Sequence, residues 1–249
     1  MLNELAPIAL LLVVVVVVLA RLPRVEGVTH TDAFRRRRVM NWVPLGLTYA
    51  FLYMGRYNIK VSQHAFGDIE FNGAPMMTNG DFATIFFWGT LIYGSSFLIN
   101  GPLTDRIGGK KAILIGAGGA AVMNLLMGAV TYGIVHDVAI LGFNRDQLAT
   151  NLTAIFSSMY AINMYFQSFG AVSIVKCNAP WFHVRERGVF GAIFGILISL
   201  GIYFAFDWGY FIIEHFSLEF LFLVPTVLLA VFWLIDFVIV KDTPGDAGH

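Results

Sequence analysis

Six long apolar stretches bounded by charges leave this chain few ways to fold. They run from Val39 to about Gln63, Phe82 to Thr104, Ala112 to about Val135, Leu148 to Val175, Gly188 to Phe206 and Phe220 to Val240. A helix rising about 1.5 Å per residue crosses a hydrocarbon core of roughly 30 Å in about 20 residues. Backbone groups in hydrocarbon must be satisfied within the protein, which restricts spanning elements to helices and closed barrels. Barrel strands alternate apolar and polar positions, whereas these runs are nearly continuously apolar. The expectation is an all-α integral membrane protein whose first partner is the lipid bilayer. Charged residues make up 13 % of the chain, against roughly 25 % in an average soluble domain.

A further apolar run, Leu5 to Ala20, contains six consecutive valines. Glu4 precedes it and no small-x-small cleavage site follows, so it reads as an uncleaved anchor helix rather than a signal peptide. Residues 1–38 are therefore expected to form an anchor and a basic cytoplasmic linker ending in Arg35 to Arg38, with the six-helix unit at 39–249. Lys and Arg fix the orientation: six between Arg21 and Arg38, three between Gly101 and Lys111, three between Lys176 and Arg187 and one at Lys241, against Arg145 alone in the opposite loops. By the positive-inside rule the N-terminus faces outside and the C-terminus the cytoplasm of a cell (inner) membrane.

Other chemistries find little support. Net charge is zero, so no basic excess points to nucleic acid, and the single cysteine, Cys177, excludes an internal disulfide. The histidines show no ligand spacing, no cofactor motif is present, and no carboxylate pair or nucleophile with a base indicates an enzyme. Gly116-Ala-Gly118-Gly119 lies inside an apolar span with no preceding strand, which favours close helix packing over a dinucleotide loop. Asn151-Leu-Thr153 has the form of a glycosylation acceptor but lies at the membrane edge.

Arg56 is buried in the first of the six runs, where a charge needs protein, water or a ligand beside it. Tyr49, Tyr53, Arg56, Lys60 and Gln63 recur at helical spacing and define one polar face. An arginine fork grips phosphate or carboxylate through two hydrogen bonds, and Lys60 adds a point charge one turn on, so the pair suggests an anion site. The alternatives are that Lys60 snorkels to the outer interface and that Arg56 meets a backbone carbonyl. Tyr160, Asn163 and Gln167 form a second stripe suited either to a ligand or to interhelical hydrogen bonds. Asp236 reads as a proton-coupling carboxylate or, more simply, as a helix-paired acid.

Gly101-Pro-Leu-Thr-Asp-Arg-Ile-Gly-Gly-Lys-Lys111 resembles the signature loop between helices two and three of the major facilitator superfamily. Gly101, Asp105, Arg106, Gly109 and Lys110 are its gating residues in that reading, with Asp105 and Arg106 placed to pair. Phe166-Gln-Ser-Phe-Gly170, Trp181-Phe-His-Val-Arg-Glu-Arg-Gly188, Lys241-Asp-Thr-Pro-Gly245 and Gly55-Arg-Tyr-Asn-Ile59 are similar to segments of the organophosphate:phosphate antiporters over about residues 39 to 245. The resemblance implies that Arg56 binds substrate phosphate. Departures stand at Phe97, where members carrying glycerol 3-phosphate have lysine, at Ile198, where they have histidine, and at Tyr57, which replaces the second base of the helix-one motif.

The resulting expectation is half of a facilitator: six helices in two inverted three-helix repeats, plus one extra N-terminal helix. Such a half would transport a phosphorylated or other small anionic solute after pairing with a second six-helix bundle. Arg56, Lys60, Tyr53, Tyr49, Gln63, Asn163 and Gln167 are the expected substrate contacts. A separately encoded second bundle is favoured over a parallel homodimer, because two copies would place both Lys60 side chains in one site. The rival reading is a non-transporting assembly, anchoring or regulatory subunit.

Overall fold

The other helices converge on α1 (Asp32–Gly67), a 36-residue helix. Thr31 caps it, its hydroxyl oxygen accepting from Phe34 N at 3.2 Å, and Asp32 in the first turn favours the positive end of the helix dipole. Its start differs from the expected Val39: Arg35 to Arg38 ride on its first turns instead of lying in a linker. Arg37 donates to the Ile239 carbonyl at 2.7 Å and Arg38 meets Glu186 at 3.0 Å, both partners far along the chain. A computed structural model describes residues 31–248, together with Ala9, Val13, Val14, Val16 and Val17, which are helical and exposed. The rest of the expected anchor helix and of the linker to position 30 lies outside the described residues.

α2 (Asn79–Ile107) opens with a capping box between Thr78 and Asp81, and α3 (Gly109–His136) follows after Gly108 alone. Gly108 has φ +89° and ψ 155°, a region essentially restricted to glycine. The expected loop from Gly101 to Lys111 is thus corrected to a one-residue junction, with Gly101 to Ile107 still helical despite Pro102. The fourth apolar run is also corrected. It divides into α4 (Arg145–Thr150), α5 (Leu152–Gln167) and α6 (Phe169–Asn178), interrupted at Asn151 and Ser168. At the second break the Ser168 hydroxyl donates to Tyr165 O at 2.7 Å and accepts from Asn100 of α2 at 2.6 Å, so α2 holds the interruption in place.

α7 (Arg187–Tyr203) continues through a π-helical turn at Phe204–Trp208 into α8 (Gly209–His215), well past the expected end at Phe206. α9 (Phe220–Ile239) completes the bundle. Among the described residues, four segments are long and apolar enough to cross a membrane: α2, α3, Phe190–His215 and α9. α1 has the length without the apolarity, because its buried face carries Asn41, Thr48, Arg56, Asn58 and Ser62. Among the described residues the fold is helical apart from an isolated bridge between Ile140 and Phe143 and a two-strand hairpin, β1 (Glu70–Phe71) with β2 (Ala74–Pro75). Its turn residues, Asn72 and Gly73, have φ 54° and 78°, the Asn-Gly pattern of a primed hairpin turn.

Packing radiates from α1, which lies against α9, α7 and the π turn most extensively and touches α3, α5 and α6 as well. α7 comes close enough that a Cβ on Gly201 would strike the backbone oxygen of Ala50. α3 sits between α9 and α5, with the Phe166 ring filling the space that a side chain on Gly119 would need. α2 rests chiefly on α5 and leaves an apolar face uncovered, Leu98 at 81 % and Ile99 at 64 % exposed.

Candidate functional site

Arg56 is 6 % exposed at the middle of α1. Its guanidinium lies between two rings, 4.6 Å from the centroid of Tyr53 on α1 and 4.4 Å from that of Tyr93 on α2. Nη2 donates to Gln167 Oε1 at 3.3 Å, while Nε has no partner. Among the described residues no carboxylate lies within ion-pair distance. A desolvated cation–π contact contributes about 2 kcal/mol, whereas removing one ion from water costs several kcal/mol. Two such contacts and one hydrogen bond to a charged group, about 1.5–3 kcal/mol, offset much of that cost, but among the described residues no counter-charge neutralises the guanidinium and Nε is left unpaired.

Lys60, one turn further on, repeats the arrangement. Its Nζ lies 5.3 Å from the Tyr57 ring of α1 and 5.0 Å from the Phe86 ring of α2. Each cation is thus held between an aromatic residue three positions earlier on α1 and one from the antiparallel α2. Tyr53 and Tyr49 meet edge-on at 5.1 Å, continuing the aromatic path towards the other end of α1. Gln63 is turned to a different task, donating to Asn79 Oδ1 at 2.6 Å where α2 begins. Phe97 packs edge-on against Tyr93 at 4.9 Å and so backs the arginine cage.

The second stripe binds α5 to α1. The Tyr160 hydroxyl donates to Arg56 O at 3.1 Å, Asn163 Nδ2 to Gly55 O at 3.1 Å and Gln167 Nε2 to Leu52 O at 2.9 Å. Of the two alternatives the sequence leaves open, the geometry gives these side chains interhelical hydrogen bonds, with Gln167 also reaching Arg56. Behind them Asn58 Nδ2 donates to Asn124 Oδ1 at 2.8 Å, and Asn124 Nδ2 donates to Ala120 O at 2.9 Å and Gly55 O at 3.3 Å. This fully buried node fixes the turn of α1 that carries Arg56.

At the opposite end of α2, Asp105 pairs with Lys176 at 2.6 Å instead of with Arg106, which is exposed. Lys110 N donates to Asp242 Oδ1 at 2.8 Å and Lys110 Nζ to Phe237 O at 2.7 Å. Gly109 lies hard against Cys177 and Ser173 of α6, while a Cβ on Gly101 would meet nothing, so Gly101 supports no close helix approach within this chain. Asp236 is fully buried and accepts from the Thr48 hydroxyl at 2.6 Å, a helix-paired acid on α9.

Tyr93, Phe86, Asn58 and Asn124 escape the sequence reading. Asn58 and Asn124 carry a usable signal, since an amide in an apolar span needs a partner. Tyr93 and Phe86 carry none, because their role depends on how α2 sits against α1.

Two curated relatives are similar to this chain, each described as "Membrane sensor protein UhpC". That of Salmonella typhimurium strain LT2 is 24 % identical over 188 residues, covering 73 % of this chain and 36 % of the relative. That of Escherichia coli strain K12 is 25 % identical over 167 residues, covering 67 % and 32 %. The chain spans about a third of the length of these relatives. No family model and no solved structure matches it.

Proposed function

We propose that this chain is one half of a secondary transporter, moving a phosphorylated or other small anionic solute by alternating access after pairing with a second six-helix bundle. The observation that carries the reading is a buried Arg56 with no carboxylate partner among the described residues, caged by Tyr53 and Tyr93 at 6 % exposure. Arg56 is the anion anchor, Lys60 the auxiliary charge, and Tyr53 and Tyr49 line the approach. Gln167 positions the guanidinium, while Asn163 and the asparagines behind it keep α1 straight at that turn. The α5–α6 pair and α1 serve as the remaining spans of a six-helix half, with the N-terminus outside and the C-terminus in the cytoplasm. The Asp105–Lys176 pair and the Lys110–Asp242 contact form a latch at the cytoplasmic end, and alternating access requires it to open. The charge asymmetry of the loops supports this orientation.

The test is ligand-dependent thermal unfolding of the purified chain with inorganic phosphate. A ligand present at 100 times its Kd stabilises by about 2.7 kcal/mol, so a saturable rise in Tm is expected. An unchanged Tm with every small anion tried would remove the anion site. The name of the relatives favours a second reading, in which the anion is sensed rather than moved and the half-bundle regulates a partner. Reconstitution with the partner separates them: anion binding without uptake selects the sensor.

A further inference from the structure

An open groove of about 350 Å³ lies between α6 and α7, lined by Tyr49, Ile174, Phe190, Phe194 and Ile198, with Arg187 its only charged lining residue. The Phe190 and Phe194 rings meet at a tilt along one wall, 4.3 Å between centroids. Rings in contact link the groove to the cationic cage: Tyr49, which lines the groove, meets Tyr53 at 5.1 Å, and Tyr53, half-buried, covers the Arg56 guanidinium at 4.6 Å. Tyr49 and Arg56 are two helical turns apart, about 10 Å along α1. A volume of this size sits at the lower end of the roughly 300–1,000 Å³ of small-molecule sites.

From this juxtaposition we infer that the solute is amphipathic: an anionic head held by Arg56 and Lys60, carrying an alkyl or aryl body about 10 Å long that lies over Tyr53 and Tyr49 into the Phe190–Phe194 groove. The inference rests on the anion site proposed above and specifies its ligand class. A polyhydroxylated body fits this surface poorly, because its hydroxyls would lose water against aromatic and aliphatic walls that offer them few partners. Gly191, which also lines the groove and exposes no side chain, leaves its mouth wide.

Binding of methyl phosphate, hexyl phosphate and glucose 6-phosphate to the chain in lipid nanodiscs tests this, since the three share a head and differ in body. Hexyl phosphate is expected to bind at least tenfold more tightly than methyl phosphate, about 1.4 kcal/mol. Ile198→Asn and, independently, Phe194→Ser should each reduce that ratio towards one while leaving methyl phosphate binding unchanged. Arg56→Gln should weaken both ligands together. Equal binding of methyl and hexyl phosphate, or tighter binding of glucose 6-phosphate, would overturn the inference and leave the anion site standing. Binding of none of the three would sink the anion site and this inference with it. Loss of hexyl phosphate in Arg187→Gln but not in Arg56→Gln would reverse the orientation and refute the assignment. A further large gain with an 18-carbon lysophosphatidate would assign the groove to a lipid instead of a small solute.

Discussion

Arg56 is held by groups that tolerate a cation without neutralising it. Tyr53 and Tyr93 present their π faces, Gln167 a carbonyl oxygen, and Nε stays unpaired. Arg56→Gln removes the charge, and with hydrogen bonds to charged groups contributing about 1.5–3 kcal/mol each, phosphate affinity should fall on the order of 10–100-fold in a titration. Arg56→Lys keeps the charge but not the planar fork or its stacking, so it should recover only part of that loss. Full affinity in Arg56→Gln would make the arginine structural. The stripe of Tyr49, Tyr53, Arg56, Lys60 and Gln63 is legible in the sequence because a single helix fixes the spacing of its own residues. Tyr93 and Phe86 are not, since nothing in α2 alone says which of its aromatic rings will face α1. For the buried amides the sequence supplies the residue types but not their partners. Asn124→Leu removes the acceptor of Asn58 Nδ2 and one of the two side-chain donors to the Gly55 carbonyl, and should lower unfolding free energy by about 1–3 kcal/mol in a denaturant titration.

Helix contacts on the two faces of α7 differ in kind, and substitutions separate them. Gly201 sits on the backbone of α1 at Ala50, which cannot give way as a flexible side chain would. Gly201→Ala should therefore lower stability by about 1–3 kcal/mol, as overpacking does. Gly195 faces open space, so Gly195→Ala in the chain alone should leave the unfolding midpoint unchanged. At one end of the packed α3–α9 contact His136 meets Glu219, the residue before α9, at 2.9 Å. Burial opposes ionisation of Glu219, but hydrogen bonds from Ser217 and His136 outweigh it and hold the carboxyl below its ordinary value. A lowered carboxyl value means that this contribution is complete above the ordinary glutamate range, near pH 4.3, and disappears as pH falls through the lowered value. Thermal unfolding between pH 3 and 5 should show a steeper acid loss in the native chain than in Glu219→Gln. At this scale the sequence announces that helices exist and roughly where, since long apolar runs suffice for that. The interruption at Ser168 and the π turn at Phe204–Trp208 lie beyond it, because both depend on side chains from other helices or on packing against α1.

Across the whole molecule, Arg35 to Arg38 and the lysines near Gly108 gather at one end of the bundle, and Arg145 lies at the other. Cysteines at Thr31 and Ala74 in a Cys177→Ala background should react with impermeant reagents from opposite sides of the membrane. Ala74 serves better than Gly73, whose φ of 78° a cysteine would strain. Labelling of both from one side would refute the orientation. The helical class is readable from sequence because the bilayer imposes it on length and apolarity alone. The bond between Lys110 N and Asp242 also has a consequence in time. Gly108 offers α3 no side-chain cap, and the carboxylate that serves its first turn stands 132 residues later in the chain. At about 5–20 residues per second of synthesis, α3 waits on the order of ten seconds for that carboxylate to emerge, so this corner of the bundle is fastened last and marks the moment at which α3 becomes committed to the segment that follows α9.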